Sequence, residues 1–328
     1  MVTIIGKVLR ILPFKAVNVK DTAKVELIIA DERAYRRVSL WDDQVNLVLS
    51  STLQPGDTIR IENASLPRRT EEGDNRVHAG RRARITRLAA AIEPLRDVPA
   101  AKLTVLAVAR PERGKVCVAG IDEHGAWLRP QYVYESELLA AEHPLFKLLS
   151  VSAVYLDAWR GRRARKEDRF FVYSRGVERE LSAKEQRAFL EQHVDVSVDA
   201  VFTSGRTLGL IKPRILLVYE ERPRRAEKEH EQYIRFTFKD GSGRVYRRWP
   251  CRCTDFYARW NALKARHRWT CGWWMRRYLK KNETYLAIGL TYTDYGHTTL
   301  EYGAYPLIVG VHVVPNRSVL YGAEPATA

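Results

Sequence analysis

The sequence predicts a mostly β protein with some α-helix, and two observations support this class. Residues 3–88 contain five short strand patterns, with one short helical segment between the third and the fourth. That order is typical of a small Greek-key barrel. Residues 102–328 add many further strand patterns and only a few helical ones. The chain shows no internal repeat of fixed short period, which argues against a solenoid.

The strands of the first region follow from alternation and turn chemistry. Val25, Leu27 and Ile29 lie on one side of a predicted strand, and the run RVSLW ending at Trp41 forms the next one. Residues 42–49 are predicted to form the short helix. The sequence Gln-Pro-Gly-Asp at 54–57 predicts a turn before the strand TIRIENA.

The second region is predicted to contain helices at 182–194, 254–268 and 271–281. Ser182 followed by Glu185 predicts a capping box at the start of the first of these helices. The predicted strands of this region are 102–109, 115–121, 151–159, 215–220, 234–239, 244–248, 285–290 and 307–314.

Length and composition set the broad class of the protein. The chain has 328 residues, of which 45% are hydrophobic, enough for two or three packed domains. The Ala- and Pro-rich segment 89–101 is predicted to be a linker. The N-terminus lacks the pattern of a signal peptide, and no apolar run is long enough to span a membrane, so we expect a cytoplasmic protein.

The charge of the chain predicts a polyanionic partner. The formal net charge is +16, from 55 basic and 39 acidic residues. Residues 1–100 carry only +4 of this excess and the remainder carries +12. An excess of this size attracts polyanions and accelerates their encounter. Nucleic acid is therefore favoured over acidic protein or lipid as the partner.

The motifs of the first region carry a resemblance to a known family. They are Val-Ser-Leu-Trp-Asp-Asp-Gln at 38–44, Leu-Gln-Pro-Gly-Asp at 53–57, Ile-Arg-Ile-Glu-Asn-Ala at 59–64, and Val-His-Ala-Gly at 77–80. In this order they resemble the OB-fold of archaeal single-stranded DNA-binding and replication protein A-like proteins. The resemblance covers residues 3–88 and implies an OB-fold domain over 1–88 that binds single-stranded DNA.

This resemblance assigns roles to particular side chains. Trp41 matches the Trp that stacks on a base in the family, although an alternating strand could also place it in the core. The segment after Asn63-Ala64 has Arg68 and Arg69 where better-known members have further aromatics, which predicts weaker and more salt-dependent binding by this domain. The further basic residues predicted to contact phosphates are Arg36, Arg37, Arg81, Arg82 and Arg84.

A second resemblance covers most of 102–315. Val-Ala-Gly-Ile-Asp at 118–122, Trp-Leu-Arg-Pro at 127–130 and Tyr-Leu-Ala-Ile-Gly-Leu-Thr at 285–291 resemble prokaryotic dual OB-containing modules. The implied architecture is tandem OB-fold barrels, with residues 102–328 forming a dual-OB domain that carries helical insertions. Tandem weak sites gain avidity when both engage one strand.

Basic and aromatic residues are interleaved in this second region, which is typical of a groove that tracks a nucleic-acid backbone. For the pair Trp269 and Trp273, four residues apart, core packing is an equally good interpretation. The predicted binding residues here are Arg162, Arg163, Arg247, Arg248, Trp269, Trp274, Arg276 and Arg277.

Cofactor chemistry is not predicted, with one alternative left open. Cys251, Cys253, His267 and Cys271 are four residue types that bind zinc, but the Cys-x-Cys spacing departs from that of zinc fingers. Buried structural thiols explain the cysteines equally simply. The chain has neither a phosphate-binding loop nor a dinucleotide-binding fingerprint, which argues against an ATPase or a dehydrogenase.

The predicted function is therefore binding of single-stranded DNA, in DNA replication or repair, without catalysis. One alternative is an RNA-binding protein, and another is a nuclease that uses the OB-fold as a substrate clamp. For the nuclease, the acid–base groupings are Asp122-Glu123-His124 and Asp294 with His297, and the candidate carboxylates are Asp255, Asp294 and Glu301. A third alternative is an adaptor whose second module binds protein.

Overall fold

The computed structural model describes residues 1–17, 22–66, 75–112, 114–159, 165–221, 232–291 and 301–314. It divides into two compact units, Met1–Ala100 and Ala101–Ala328. Strands hold 49% of the residues and helices 20%. The predicted mostly β class is confirmed.

The first unit is one curled sheet, called here the first barrel. Its strands pair in the order β6-β4-β3-β1-β5-β7, and β2 adds to β3. A turn of 3₁₀-helix (Asp42–Val45) and α1 (Asn46–Leu49) lie between β4 and β5, as predicted. The strands are β1 (Val2–Ile11), β2 (Lys15–Val17), β3 (Thr22–Ala30), β4 (Tyr35–Trp41), β5 (Thr58–Ala64), β6 (Arg76–Ala79) and β7 (Arg84–Leu88).

The pairing in this sheet is that of an OB-fold. Every pair along the path is antiparallel except β4 with β6, which is parallel. β6 and β7 lie at the two ends of the path and are separated by only four residues, so together they act as a fifth strand. The five strand positions therefore follow the ring 1-2-3-5-4. Val25, Leu27, Ile29, Val38 and Leu40 fill the core.

The segment between residues 89 and 100 packs on the first barrel. Leu95 is buried, with φ of +58°, and its N–H donates to the carbonyl of Asp31 at 2.7 Å. The N–H of Asp97 donates to the carbonyl of Glu32 at 2.8 Å. These two bonds tie the segment to the turn between β3 and β4, so most of the predicted linker is an ordered part of the first unit.

The second unit begins with a closed five-stranded barrel, the second barrel. β8, β9, β10, β13 and β12 form a ring, in which only β10 and β13 are parallel. α2 (Glu135–Ala140) lies between the third and fourth strand positions, as in the first barrel. The strands are β8 (Ala101–Glu112), β9 (Lys115–Ile121), β10 (Trp127–Gln131), β11 (Val133–Tyr134), β12 (Ser150–Ala158) and β13 (Asp168–Glu180).

The remaining strands repeat the same ring as a third barrel. β14 and β15 share the first position, followed by β16, β17, β18 and β19. β15-β16-β17 and β14-β18-β19 are antiparallel sheets, and the parallel bridge between Cys251 and Ile308 joins the third position to the fifth. The strands are β14 (Leu208–Ile211), β15 (Arg214–Glu221), β16 (Tyr233–Lys239), β17 (Val245–Pro250), β18 (Glu283–Leu290) and β19 (Pro306–Val314). Tandem OB-folds are thus confirmed by connectivity.

The described residues of the second unit contain four further helices after α2. The predicted capping box is present: Ser182 Oγ accepts from the Glu185 N–H at 3.3 Å, and the Glu185 carboxylate accepts from the Ser182 N–H at 2.8 Å. The helices are α3 (Ala183–His193), α4 (Val198–Thr203), α5 (Thr254–Arg266) and α6 (Cys271–Lys281). No helix in the described part of the chain is long and apolar enough to cross a membrane.

The second and third barrels are packed against each other through a shared core. The outward side chains of β8 and β9, such as Leu106 and Ile121, pack with Leu208, Tyr285 and Val309 of the third barrel. Buried polar contacts cross the same boundary: Nε2 of His312 donates to the carbonyl of Leu106 at 2.9 Å, and the Glu167 carboxylate accepts from the Thr207 N–H at 2.6 Å. These contacts make the two barrels one structural unit.

Candidate nucleic-acid interface

The outward side of β3, β4 and β6 in the first barrel carries a polar and aromatic surface, the open face. Side chains alternate along a strand, so the residues between the core positions point outward. Strand register places Lys24 opposite Trp41, and Ser39 opposite His78. The open face consists of Lys24, Glu26, Arg37, Ser39, Trp41 and His78, of which Glu26 and Ser39 are buried and the others are partly exposed.

Trp41 is the half-buried last residue of β4 and is held by its neighbours. Its indole Nε1 lies 3.4 Å from Nδ1 of His78, and Nζ of Lys24 lies 5.3 Å from the centre of its ring. A side chain fixed in this way loses little rotational freedom when a flat ligand stacks on it. The structure thus places Trp41 on the surface and not in the core.

The charges of the open face are organised around Glu26. Its carboxylate accepts from Nζ of Lys24 at 2.7 Å and from Nη2 of Arg37 at 3.1 Å. Burial works to raise the pKa of Glu26, but the hydrogen bonds and charges of Lys24 and Arg37 outweigh it and lower the pKa. An ionised Glu26 therefore holds two cations on the open face, of which Lys24 lies next to the Trp41 ring.

The other predicted phosphate-contacting residues of the first unit do not belong to the open face. Arg36 has the strand parity of the core residue Val38, opposite to that of Arg37, and its guanidinium donates to the carbonyl of Tyr35 at 3.0 Å. Arg81 and Arg82 are exposed in the turn between β6 and β7, and Arg84 is exposed on β7. Arg68 and Arg69 lie outside the described residues.

The same strand positions of the third barrel carry a second basic surface, the Arg–Tyr face, on β16, β17 and the residues just after them. The guanidinium carbons of Arg235 and Arg252 lie 5.8 Å and 5.1 Å from the centre of the Tyr233 ring. Arg248 has φ of +59° in an irregularity of β17, and both it and Arg247 are exposed. The face consists of Tyr233, Arg235, Arg247, Arg248 and Arg252.

One carboxylate, that of Glu221, partly neutralises the positive charge of the Arg–Tyr face. Glu221 pairs with Arg235 at 2.7 Å and also with Arg248. The hydrogen bond from Arg235 is the largest cause that lowers the pKa of Glu221, so the group is ionised. Sequence analysis identified Arg247 and Arg248 but missed Tyr233 and Arg235. Tyr233 and Arg235 alternate with the buried Ile234 and Phe236, and this alternation could have identified them as outward-facing residues.

A third cluster lies where α5 gives way to α6 and is called here the Trp corner: Arg268, Trp269, Trp273 and Arg277. Trp269 is 87% exposed and Trp273 is 53% exposed. The guanidinium carbon of Arg268 lies 5.5 Å from the Trp269 ring, and that of Arg277 lies 5.3 Å from the Trp273 ring. Exposed indoles beside cations are typical of binding surfaces.

The remaining predicted residues of this region differ in exposure. Trp274 is half-buried against the core of the third barrel, and its ring lies 4.8 Å from that of Trp273. Arg276 is also half-buried. Trp273, which sequence analysis did not select, is therefore the more accessible of the two neighbouring tryptophans. Arg162 and Arg163 lie outside the described residues.

The four zinc-ligand candidates do not form a metal centre. Among the described residues, no group of three or more His, Cys, Asp or Glu side chains could hold a metal ion. Cys251, Cys253 and Cys271 are buried in the core of the third barrel, and His267 packs against Trp274 with ring centres 5.0 Å apart. Burial raises the pKa of the Cys253 and Cys271 thiols to about 11, which favours the protonated form.

The carboxylates considered for catalysis have structural roles where they are described. Asp122 caps the turn between β9 and β10, accepting from the N–H groups of His124 at 3.0 Å and Ala126 at 2.8 Å. Asp255 is exposed in the first turn of α5, and Glu301 pairs with Arg244. Asp294 and His297 lie outside the described residues.

Comparisons with known proteins give similarity only at the level of structure. No protein-family model matches the chain, and no curated protein matches it either. Similar solved structures include an OB domain from Thermoplasma acidophilum, with 24% identity over 28% of this chain and 77% of that chain and a TM-score of 0.22. A replication protein A heterotrimer bound to single-stranded DNA has 9% identity, covers 95% of this chain and 93% of that chain, and has a TM-score of 0.30.

A third structure of this kind is the Ifi202 HINa domain in complex with a 20-base-pair duplex. It has 10% identity over 55% of this chain and 96% of that chain, with a TM-score of 0.27. Because these scores are low, the assignment of the fold rests on the strand connectivity of the three barrels. The resemblance of the N-terminal region to the OB-fold is confirmed, and the chain is built from tandem OB-folds.

Proposed function

We propose that this protein binds single-stranded nucleic acid, with single-stranded DNA as the preferred ligand, and that it does so without catalysis. The observation that carries the proposal is the open face of the first barrel, where Lys24 lies over the half-buried Trp41 ring and Arg37 adds a second cation, paired with Glu26, on the same face. The outward side of the second and third strand positions is the surface through which OB-folds bind oligonucleotides.

Stacking and charge supply the binding energy in this proposal. Stacking of one base on an aromatic side chain contributes about 1–3 kcal/mol and tolerates any base sequence. Lys24 and Arg37 contact the phosphates that flank the stacked base. A net charge of +16 favours the encounter with any polyanion, so stacking on Trp41 is what gives preference to single strands.

The Arg–Tyr face and the Trp corner extend the binding surface in the second unit. Each combines aromatic rings with arginine side chains, and each belongs to the region that holds most of the positive charge. Sites of modest affinity that engage one strand together gain avidity. We propose residues 1–88 and 102–328 as the two binding domains, acting on the single-stranded DNA that replication and repair expose.

The test is a titration of the purified protein with matched single-stranded DNA, double-stranded DNA and RNA at two salt concentrations. The expected result is a preference for single-stranded DNA that persists at the higher salt. A preference for RNA would replace DNA by RNA as the ligand. Equal and steeply salt-dependent binding to all three would contradict stacking, since phosphate contacts alone behave in this way. Cleavage of any ligand in a gel with added Mg²⁺ would contradict the absence of catalysis.

A further inference from the structure

The second barrel has an aromatic cluster at the end of its third strand position. Tyr132 lies between β10 and β11, and its ring centre is 5.2 Å from that of Trp159, 6.4 Å from that of Tyr134 and 6.3 Å from that of Phe170. The four rings come from three strand positions of the barrel. We call Tyr132, Tyr134, Trp159 and Phe170 the aromatic platform.

Tyr132 has an unusual backbone conformation. Its φ is +65°, in the left-handed region that bulky residues rarely adopt, and its side chain is 40% exposed. Such a backbone costs about 1–3 kcal/mol, and residues held in this way concentrate at ligand-binding sites. The ring of Tyr132 is exposed, whereas Tyr134 and Trp159 are half-buried and Phe170 is buried.

Trp159 shows a second irregularity. Its Nε1 atom is shielded from solvent and has no hydrogen-bond partner among the described residues. A purely structural indole in a barrel wall normally donates this hydrogen bond, because an unmade bond costs about 1–3 kcal/mol.

The position of the platform matches that of Trp41 in the first barrel. Trp41 closes the third strand of its barrel, and Tyr132 follows the third strand of the second barrel. The third barrel covers Ile121 and Trp127, at the end of β9 and the start of β10. Tyr132, beyond the other end of β10, is exposed.

Basic residues are close to the platform in the sequence. Arg169 immediately precedes Phe170, and its guanidinium donates to the carbonyls of Lys166 and Asp168 at 2.8 Å. Lys166 is exposed. Aromatic rings next to positive side chains suit a nucleobase with its phosphate. Asp157, opposite Phe170 in the register, accepts from the N–H of Ala158 at 2.7 Å and so is engaged locally.

From these observations we propose that the aromatic platform is a further nucleobase-binding site, on which Tyr132 stacks a base of the same single strand. This proposal rests on the proposed function. It assigns to the second barrel a contact made at the end of its third strand and not on the usual strand face.

The test uses the full chain with the Tyr132→Gly variant. Glycine adopts a left-handed conformation without strain, so the variant removes the ring and relieves the backbone together. Tyr132→Asn serves as a second variant for the same reason. The matched control is Leu139→Ala, which removes a 75% exposed apolar side chain from α2 of the same barrel.

Affinity is measured for an oligothymidylate of about 50 nucleotides, since one OB-fold occupies up to about 16. We expect both Tyr132 variants to bind about 5- to 100-fold more weakly than the unchanged chain, with stability unchanged or raised. Leu139→Ala is expected to bind normally. Normal binding by both Tyr132 variants would overturn the proposal.

Photocrosslinking gives a readout that does not depend on affinity. An oligonucleotide with 5-iododeoxyuridine is irradiated with the unchanged protein, and the attached peptides are identified by mass spectrometry. We expect a crosslink within residues 131–134 or at Trp159. Crosslinks confined to the other barrels would overturn the proposal while leaving the proposed function intact. An unchanged protein that binds no oligonucleotide would instead contradict the proposed function itself.

Discussion

The first and second barrels share one topology but differ on the outward side of their second and third strands. In the first barrel this side is the open face, with Lys24, Arg37 and Trp41. In the second barrel the same side carries Cys117, Ala119, Ile121 and Trp127, and it packs against the third barrel. We call it the covered face. Trp127 is 8% exposed.

This difference shows that connectivity alone does not determine whether the outward side of an OB-fold is polar or is buried against another barrel. The outward residues of β9 are small or apolar, so burying them against another barrel is favourable by about 25 cal/mol per Å² of apolar surface. Three outward residues of β3 and β4, Lys24, Glu26 and Arg37, are charged and would be costly to bury without partners. The composition of one strand face therefore separates a barrel with a polar outward side from a barrel that packs against its neighbour.

The largest expected effect comes from disrupting the covered face. A Cβ atom added to Gly310 of β19 would lie 2.0 Å from the backbone oxygen of Leu106 in β8. Gly310→Val should therefore push the second and third barrels apart and cost about 3 kcal/mol or more of stability. Chemical denaturation of the full chain measures this loss.

Gly80→Val in the first barrel is the matched control, because a Cβ at Gly80 meets no atom within 4 Å. We expect it to change stability little. Equal stability of the Gly310 and Gly80 variants would show that the covered face is not tightly packed.

Low pH should weaken the contact between the second and third barrels, because His312 is part of it. Burial lowers the pKa of His312 to about 4 from its ordinary value of 6.5, against a smaller raising effect of the Leu106 carbonyl. Above pH 6.5 the folded and unfolded chains both hold a neutral imidazole. Between pH 6.5 and 4 only the unfolded chain takes up the proton, so the free energy of unfolding falls as pH falls, by up to about 3 kcal/mol.

Denaturation curves at several pH values check this prediction. His312→Gln removes the titration and keeps an N–H donor for Leu106, so its stability should depend less on pH over this range. A variant that loses stability with pH as steeply as the unchanged chain would rule out His312 as the cause.

On the open face, Trp41→Ala should weaken binding of single-stranded DNA by about 1–3 kcal/mol, because one stacked base is lost. Trp41→Phe keeps an aromatic plane and should retain part of that energy. Fluorescence anisotropy with a labelled oligonucleotide measures both variants. Unchanged affinity of a folded Trp41→Ala protein would remove Trp41 from the site.

The Trp corner allows a comparison of two adjacent residues. Trp273→Ala should weaken binding by about 1 kcal/mol with little change in stability, since the ring is 53% exposed. Trp274→Ala should instead lower stability by about 1–2 kcal/mol, because its ring packs on the core. Thermal unfolding and oligonucleotide titration of both variants distinguish the roles, and the reverse pattern would contradict them.

The smallest expected effect is on salt dependence. If Arg247 and Arg248 contact phosphates, replacing both by Ala should reduce the slope of log affinity against log salt by about 1.4, at roughly 0.7 per contact with a single strand. Lys102→Ala with Lys147→Ala changes the net charge equally on the second barrel, where both lysines pair with glutamates. An equal change of slope in both double variants would show that net charge, and not phosphate contacts of Arg247 and Arg248, sets the salt dependence.

Much of this fold could be predicted from local patterns. Alternation located most strands, turn residues located the start of β5, and the Ser182 and Glu185 pair located α3. The predicted strands at 151–159 and 285–290 lie within one or two residues of β12 and β18. The thirteen-residue β13 and the short α4 were not predicted.

The pairing of the strands could not be predicted from the sequence, because strand register and parallel pairing depend on residues that are distant in the chain. The covered face had one local signal: β9 is apolar on both of its sides, which is typical of a strand buried on both faces. The sequence also held a local signal for which side of α6 is buried. Cys271, Met275, Tyr278 and Leu279 form a buried stripe that leaves Trp273 outside.

The most direct test of the account is ¹⁹F NMR of the full chain labelled with 5-fluorotryptophan, assigned by single Trp→Phe substitutions and titrated with oligothymidylate. Trp41 ends the third strand of the first barrel on the open face, and Trp127 begins the third strand of the second barrel on the covered face. The account predicts that the Trp41 signal shifts on binding while the Trp127 signal does not. A shift of Trp127 with Trp41 unmoved would contradict it.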